Sequence, residues 1–343
     1  MKKILYSLLI AGLGLAIISC GSSDDSTNDD STGSSGSTSS TSTTTKSYVS
    51  VGASGTILTS SDGTSWTSRT SGTSNTLNGV TSGNSILAAV GTSGTILTSS
   101  DGISWTSRTS GTSNFLFGII YGNSTFVAVG ASGTILTSSD GTSWTSRTSG
   151  TTNILYGVTY GNSTFLAVGA SGTILTSSDG TSWTSRTSGT SKNFYGAHYV
   201  NNSFWAAGES GTLLYSSDGI SWGGDTGTKS YYLHGVSYGN NILVAIGESG
   251  KIMTSSDGLS WGSTPSGTSE NLTLISYGNT IFVAVGHSGT IITSSDGKTW
   301  TSRTSGTTEN LYGVSNFGST IASSGSGVFI VAGLSGNILR STD

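Results

Sequence analysis

The chain has 343 residues, of which 9% are charged and 33% hydrophobic, with 52 Gly, 1 Pro and 1 Cys. Its formal net charge of -4 argues against a nucleic acid as partner, and the single Cys excludes a disulfide framework and a Cys-rich zinc site. The 8 Trp, 13 Tyr and 9 Phe can build a core, so disorder of the whole chain is not expected.

The N-terminus has the pattern of a secretory signal. Two lysines precede an apolar run over residues 4–18, which is too short to span a bilayer as a helix. The run ends in Ile-Ile-Ser-Cys, and this sequence up to Cys20 resembles the lipobox of bacterial lipoproteins. The resemblance implies that residues 1–19 are a lipoprotein signal peptide and that lipidated Cys20 anchors the chain to a membrane. The expected location is the bacterial outer membrane or cell surface, with a periplasmic orientation and a plain secretory signal left open.

Residues 20–47 are predicted to be a disordered tether. They are almost entirely Ser, Thr, Gly, Asn and Asp, and they include no aromatic residue. Such a segment buries too little apolar surface to fold. As a flexible coil it reaches on the order of 30 Å.

The remainder, residues 48–343, is a repeat array with a period of 39 residues. Each copy contains Ser-Asp-Gly-x-x-Trp, and a regular period of this length is typical of propeller blades. The Asp and Trp of the seven copies are Asp62 and Trp66, Asp101 and Trp105, Asp140 and Trp144, Asp179 and Trp183, Asp218 and Trp222, Asp257 and Trp261, and Asp296 and Trp300.

One unit is predicted to contain four antiparallel strands. In the fourth copy they cover residues 155–159, 165–168, 173–176 and 183–186, joined by Gly-Asn, Ala-Ser-Gly and Asp-Gly turns. The second and third strands are apolar on consecutive positions, which indicates that both faces of the sheet are covered. The fourth strand is polar, as expected of a guarded outer edge. The sequence therefore predicts an all-β protein, a β-propeller of four-stranded blades.

The number of blades depends on how the ends are counted. There are eight copies of the second and third strands, but only seven first strands and seven fourth strands. Since each Asp-Gly turn ties a fourth strand to its own third strand, eight blades are favoured and seven stay possible. In either case the terminal strands are expected to meet where the ring closes.

The recurrent Ser-x-Asp, Gly and Trp resemble the Asp-box, or BNR, repeat of sialidases, of related six- to eight-bladed propellers and of photosystem II assembly factors. The resemblance covers residues 48–343. One departure is that Asp62 and Gly63 are adjacent, where the usual repeat has an intervening residue. The resemblance implies a structural hairpin in which Asp and Ser cap backbone N–H groups and the Trp is buried in its blade.

No catalytic, metal or cofactor site is predicted. Five arginines occupy one column of the outer strand and are expected to be spread round the rim, where they do not converge as a sialidase site requires. His198, His234 and His287 lie at three different positions of the unit, which argues against a three-His metal site. One carboxylate per Asp turn supplies too few oxygens for Ca²⁺.

Variation between the copies marks a candidate ligand-binding face. The turns between second and third strands and the connections between units are expected on one face of the disc, since consecutive strands are antiparallel. These two columns are uniform in the early copies and vary later, and loops on a rigid scaffold are where recognition usually occurs. The candidate residues, which include all four Glu of the chain, are Lys192, Glu209, Tyr231, Glu248, Glu270, His287 and Glu309.

The sequence thus favours a lipid-anchored, non-catalytic binding scaffold whose partner is a protein or glycan ligand. Loop drift is the alternative interpretation of the variable columns. The alternative functions are a glycan-active, sialidase-like hydrolase and an assembly factor similar to the photosystem II propeller factors.

Overall fold

Residues 46–318 are described by a computed structural model of the protein, and they form 28 β-strands in chain order. The predicted signal peptide, most of the predicted tether and the eighth hairpin copy lie outside the described residues. Between them, these 28 strands make seven four-stranded antiparallel sheets. The prediction of an all-β propeller is therefore confirmed.

Blades one to three are built from the first eleven strands. Their strands are β1 (Lys46–Gly52), β2 (Ile57–Ser60), β3 (Thr67–Arg69), β4 (Leu77–Gly83), β5 (Ile86–Gly91), β6 (Ile96–Ser99), β7 (Thr106–Arg108), β8 (Leu116–Gly122), β9 (Thr125–Gly130), β10 (Ile135–Ser138) and β11 (Thr145–Arg147).

Blades four to seven follow with four strands each, and one last strand returns to blade one. These are β12 (Leu155–Gly161), β13 (Thr164–Gly169), β14 (Ile174–Ser177), β15 (Thr184–Arg186), β16 (Phe194–Val200), β17 (Ser203–Gly208), β18 (Leu213–Ser216), β19 (Gly223–Asp225), β20 (Leu233–Gly239), β21 (Ile242–Gly247), β22 (Ile252–Ser255), β23 (Gly262–Thr264), β24 (Leu272–Gly278), β25 (Ile281–Gly286), β26 (Ile291–Ser294), β27 (Thr301–Arg303) and β28 (Leu311–Gly318).

Short 3₁₀ segments, three residues each, form the turns between the second and third strands of blades one to six. They cover Ala53–Gly55, Thr92–Gly94, Ala131–Gly133, Ala170–Gly172, Glu209–Gly211 and Glu248–Gly250. Within the described residues no helix has the length and apolar character needed to cross a membrane.

The first strands of the blades surround the propeller axis. Consecutive first strands contact each other from β4 to β28, and β28 contacts β4, so the ring is closed. The fourth strands, β3 to β27, are the outermost and are mostly exposed, as the polar sequence predicts. Gly196 in β16 illustrates the crowding at the centre, because a Cβ there would overlap the carbonyl oxygen of His234 in the next blade.

The ring closes with seven blades, so the eight-bladed arrangement that the sequence favoured is wrong for the described residues. The count of strands per repeat places β28 in an eighth blade. In the structure β28 pairs antiparallel with β1, with Val49 opposite Ser315. The pairing supplies blade one with the inner strand that it lacks and satisfies the backbone of both terminal strands. The open alternative of seven blades is confirmed for the described residues, whereas the last strands that the sequence predicts, beyond residue 318, lie outside them.

The core lies between adjacent blades. In the cluster between blades three and four, Val127 and Val129 of β9 pack with Leu155 of β12 and Phe165 of β13, and each of the four is fully buried. Each sheet is therefore covered on both faces by its neighbours, which explains the consecutive apolar residues of the second and third strands. The rigid ring that results holds the loops at its two ends in fixed positions.

Candidate functional site

One end of the propeller carries both variable columns of the repeat. In blade four the turn residue Ala170 donates its N–H to the carbonyl of Ile154 (2.8 Å), which ends the connection into that blade. In blade two Asn75 of the connection donates from Nδ2 to Thr95 Oγ1 beside the turn (2.8 Å). These contacts place the turns between second and third strands and the connections between blades on one face, called here the upper face. The Asp turns lie on the opposite, lower face.

The predicted acidic sector lies on the upper face of blades five to seven. Glu209 and Glu248 begin the turns of blades five and six, and His287 occupies the same position in blade seven. The remaining members belong to the connections that enter blades five, six, seven and one, respectively: Lys192, Tyr231, Glu270 and Glu309.

The sector residues bond mainly to the turns and connections beside them. Glu209 Oε2 accepts the N–H of Asn193 (3.2 Å), and Glu248 Oε2 accepts the N–H of Tyr232 (3.3 Å). Each carboxylate thus ties a turn to the connection of the same blade. The other side-chain contacts of the sector are Lys192 Nζ to Ser210 Oγ (3.2 Å), Tyr231 OH to Met253 Sδ (3.2 Å), Ser288 Oγ to Glu270 Oε2 (3.2 Å), and the rings of His287 and Tyr312 with centroids 6.1 Å apart.

A β-bulge in every first strand creates a second set of residues at this face. In blade four Leu155 pairs with Gly169 and Gly157 pairs with Val168, so Tyr156 between them is the extra residue of a bulge. A bulge of this kind redirects the extra side chain out of the regular ladder. The same irregularity recurs at the second position of all seven inner strands. These bulge residues are Asn78, Phe117, Tyr156, Tyr195, His234, Thr273 and Tyr312.

Four bulge residues in consecutive blades form a continuous arc of rings around the axis. Ring centroids are 5.4 Å apart for Phe117 and Tyr156, 5.4 Å for Tyr156 and Tyr195, and 5.6 Å for Tyr195 and His234. Tyr232 of the connection into blade six joins them, 5.7 Å from Tyr195. We call Phe117, Tyr156, Tyr195, Tyr232 and His234 the aromatic arc. All five are half-buried, so their rings present aromatic surface at the axial opening of the upper face.

The polar bulge residues instead join one blade to the next. Asn78 Nδ2 donates to the carbonyl of Leu116 (2.9 Å), and Thr273 Oγ1 donates to that of Leu311 (2.7 Å). His234 makes the equivalent bond from Nδ1 to the carbonyl of Leu272 (3.1 Å). Because a carbonyl only accepts, His234 carries its proton on Nδ1.

Burial controls the ionisation of the arc. The pKa of His234 is lowered to about 4, mainly by desolvation. The bond to the Leu272 carbonyl favours the charged form and opposes this change, whereas the nearby His287 adds to it. Burial also raises the pKa of Tyr156 and of Tyr195. At Tyr195 the Asn193 side chain opposes this rise and the charge of Glu209 adds to it, so Glu209 is electrostatically coupled to the arc. The arc is uncharged at neutral pH.

The seven Asp turns repeat one hydrogen-bond pattern on the lower face. In blade three Asp140 Oδ1 accepts the N–H groups of Thr142 (2.8 Å) and Ser143 (3.0 Å), while Ser138 Oγ accepts that of Gly141 (2.8 Å). Trp144 Nε1 donates to the Gly141 carbonyl (3.0 Å). The seven Trp side chains are partly buried and each packs against a core cluster, in keeping with the expectation that the Trp packs into its blade.

The carboxylates of these turns are held ionised by their bonds. At Asp62 desolvation opposes ionisation, but hydrogen bonds from Thr64, Ser65 and Ser60 outweigh it and lower the pKa to about 2. At Asp218 bonds from the N–H groups of Ser221 and Ile220 likewise lower the pKa to about 2. Each turn therefore uses its carboxylate to hold its own backbone.

The arginine column lies at the rim, as the sequence predicts. Arg69, Arg108, Arg147, Arg186 and Arg303 end five outer strands, and each donates from Nε to a Thr of the neighbouring third strand at 2.7–2.8 Å. Shallow polar cavities follow this rim; the one of about 770 Å³ is lined by Arg303, Ser288 and Glu309, among others, and none of its lining residues belongs to the arc. Among residues 46–318 no group of three or more His, Cys, Asp or Glu side chains could hold a metal ion.

The bulge residues were missed in the sequence interpretation, which treated the first strand as a regular inner strand. A signal was present, because the position varies between Asn, Phe, Tyr, His and Thr while the preceding residue is Leu or Phe in all seven copies. The bulge itself has no sequence marker that distinguishes it from regular pairing. Only the register showed where these side chains project.

No protein-family model matches the chain, and no curated protein matches it. Among solved structures it is similar to "YCF48 bound to D1 peptide", with a TM-score of 0.58 and 19% identity over 73% of this chain and 92% of that chain. It is similar to YCF48 from Cyanidioschyzon merolae, with a TM-score of 0.57 and 19% identity over 73% and 95% of the two chains. The computationally designed Ika8 protein gives 0.51 and 12% over 75% and 80%. At these identities the similarities show the fold alone.

Proposed function

We propose that this protein is a non-catalytic binding scaffold whose upper face takes up an extended segment of a protein partner. The observation that carries the proposal is the aromatic arc, in which partly exposed rings of four consecutive blades contact one another in tilted and edge-to-face pairs around the axis. Aromatic residues are enriched at recognition surfaces because they combine a large apolar area with few rotatable bonds. Phe115, next to the arc and 47% exposed, extends this surface.

A similar fold with a bound peptide supports the protein class of ligand. One of the similar structures is YCF48 bound to D1 peptide. A seven-bladed ring has one axis, around which the aromatic arc of this chain lies on the upper face. An assembly factor similar to the photosystem II propeller factors is one specific form of the function proposed here.

The Asp-box relationship and the membrane anchor are parts of the same proposal. The Ser and Asp side chains of each turn cap backbone N–H groups, in keeping with membership of the Asp-box-like propellers. Lipidation of Cys20 would place the propeller at the outer membrane or cell surface on a flexible tether. Labelling with palmitate tests the anchor: we expect the parent chain to incorporate label and to fractionate with membranes, and a C20A variant to do neither.

Selection from a display library of random 12-residue peptides tests the proposed function. The full chain is used as bait, beside a Y156A/Y195A variant and an L259S variant. Leu259 is 70% exposed on the lower face, so its replacement controls for general loss of apolar surface. We expect the parent and L259S to enrich the same peptides and Y156A/Y195A to lose them. Enrichment by none of the three, or equal enrichment by all, would contradict the proposal.

The alternative of a glycan-active hydrolase predicts a different outcome. Turnover of a panel of sialosides and other glycosides that depends on Glu209 or Glu248 would replace the binding proposal. We expect no turnover that depends on either carboxylate.

A further inference from the structure

We propose that the aromatic arc and the carboxylates of Glu209 and Glu248 together select a basic segment, whose Lys or Arg side chains insert at the axial opening. The inference rests on the proposed function and adds the chemistry of the ligand. It joins two carboxylates of the predicted acidic sector to aromatic residues that the sector did not include. Three features of blades three to six carry it.

The first feature is the electronic character of the arc. Phe and Tyr rings have negative faces that attract a Lys ammonium or Arg guanidinium within about 6 Å of the ring centroid. Tyr156 lies between Phe117 and Tyr195, with both centroid distances at 5.4 Å. Blade six, which supplies His234 to the arc, already contains one such contact: Lys251 Nζ lies 4.8 Å from the centroid of the Tyr231 ring.

The second feature is the state of the two carboxylates. Among the described residues the one ion pair joins Lys229 Nζ and Asp225 (3.1 Å), so neither Glu209 nor Glu248 is in an ion pair. Glu209 and Glu248 each accept one bond from a neutral backbone N–H, and the N–H groups belong to residues next to Tyr195 and His234. A carboxylate with one such bond retains acceptor capacity for a ligand cation.

The third feature is that nearby cations are engaged elsewhere. Lys192 Nζ donates to Ser210 Oγ (3.2 Å), Lys251 Nζ donates to Ser263 Oγ (3.0 Å), and Lys229 pairs with Asp225. His234, the imidazole within the arc, is neutral at pH 7 because burial lowers its pKa to about 4. The border of the arc therefore includes two carboxylates, those of Glu209 and Glu248, that are not in an ion pair among the described residues.

The spacing favours an extended chain over a single small cation. Side chains on one side of an extended strand recur every two residues, about 6.8 Å apart. Consecutive rings of the arc are 5.4–5.7 Å apart and follow a curve through four blades. An extended segment with basic residues at alternate positions can thus contact successive rings while its charges face Glu209 and Glu248.

Fluorescence anisotropy with defined peptides tests the inference. The probes are labelled 12-residue peptides that alternate Gly with Lys, Gln or Glu, titrated with the full chain at 50 and 300 mM salt. We expect the Lys peptide to bind at least tenfold more tightly than the Gln peptide, the Glu peptide not to bind, and the Lys affinity to fall as salt rises. Equal affinity for the Gln and Lys peptides would overturn the inference.

Three variants locate the binding. Y156L/Y195L keeps apolar side chains but removes the aromatic faces, E209Q/E248Q removes the charges, and A131Q changes the same turn position in blade three, where the sequence is uniform. We expect each of the first two to weaken Lys-peptide binding about tenfold and A131Q to leave it unchanged, with thermal melts reporting the fold of each. Undiminished binding by either double variant would overturn the inference.

The outcome is distinguishable from failure of the proposed function. If the random library yields acidic or neutral peptides that Y156A/Y195A fails to bind, the scaffold function stands and the preference for basic segments is wrong. If the library yields nothing and the Lys peptide does not bind, both fall.

Discussion

Blades one to four and blades five to seven share one architecture and differ in the residues that architecture does not require. In both regions every Asp turn has the same hydrogen bonds and every inner strand has a bulge. In the uniform region the outer column is Arg bonded to Thr, whereas blade five has Asp225 opposite Leu213, and in blade six Thr264 Oγ1 lies 3.3 Å from Thr254 Oγ1. Glu209, Glu248 and Glu270 belong to the second region, and Glu309 belongs to the connection that leads from it to blade one. Architecture is thus maintained by repetition, and departures from repetition collect on the upper face.

Blades five and six also differ inside the ring. Trp205 replaces a small or aliphatic residue of the second strand and is only 4% exposed. Its ring lies 5.8 Å from Trp261 and 5.5 Å from Tyr215, and its tip approaches Gly258 in the next Asp turn. The residues of these two blades that differ from the repeat therefore pack against one another. The core of the second region is packed differently from that of the first.

Acid unfolding should show the largest effect, and it should affect both regions equally. All seven turn carboxylates have a lowered pKa, to about 2 at Asp62 and Asp218, against roughly 3.9 in an unfolded chain. Their bonds contribute stability above about pH 4 that is lost as the pH falls toward 2. Thermal melts from pH 5 to 2 should show a steep fall in Tm across this window. D140A and D218A should each make this fall in Tm shallower, and by the same amount. Unequal changes would contradict the equivalence of the turns.

The Trp residues should separate the two regions. W205A removes a buried side chain and should lower the free energy of unfolding by about 3–5 kcal/mol. W144A removes a half-buried side chain and should cost less, about 2 kcal/mol, with W105A and W183A close to it. Urea titrations of the four variants measure the difference. A loss for W144A as large as that for W205A would contradict the burial described here.

His234 should give blade six a pH dependence that blade two lacks. With its pKa lowered to about 4, the folded state disfavours the proton that an unfolded His takes up near 6.5. Stability should therefore be lost as the pH falls from about 6.5 to 4, by roughly 2–3 kcal/mol. H234N copies Asn78, which makes the same inter-blade bond without a titrating group. Urea titrations at pH 7 and 4.5 should show a smaller loss in H234N than in the parent.

Restoring the repeat in blade five should have the smallest effect. D225R restores the arginine of the uniform blades at an exposed outer edge and leaves Tyr215, which packs 5.5 Å from Trp205, in place. Since Asp225 is half-exposed and pairs with Lys229 at the surface, we expect a change in Tm of no more than a few degrees. A large fall would mean that blade five depends on Asp225 in a way that its contacts do not indicate.

The sequence predicted the parts of the fold that repeat. The 39-residue period, the Asp-Gly turns and the consecutive apolar strands give the blade, its strand order and the face that each loop occupies. The number of blades was less accessible, because β28 and β1 pair through backbone bonds that leave no mark on side chains. Counting strands per repeat favoured a separate eighth blade, whereas the pairing merges the two ends into one.

The candidate site was predicted only where it depends on loops. The positions of Glu209 and Glu248 follow from strand direction, and the structure places them on the expected face. The arc depends on a bulge that shifts Tyr156 and Tyr195 out of the ladder, and one displaced residue per strand is invisible to a pattern of alternating or consecutive apolar positions. The packing of Trp144 against the core was predictable, because a large aromatic at a fixed position of a regular repeat suggests a residue that contacts the core.

The central claim is that ligand binding occurs at the aromatic arc on the upper face. Photo-crosslinking tests it most directly, with a peptide enriched by the parent chain that carries a photoreactive group at its centre. Mapping of the crosslinked residues in the full chain should give Phe117, Tyr156, Tyr195 and Tyr232 as the main sites. Crosslinks concentrated at Ile220 and Leu259, the exposed apolar residues of the lower face in blades five and six, would contradict the account.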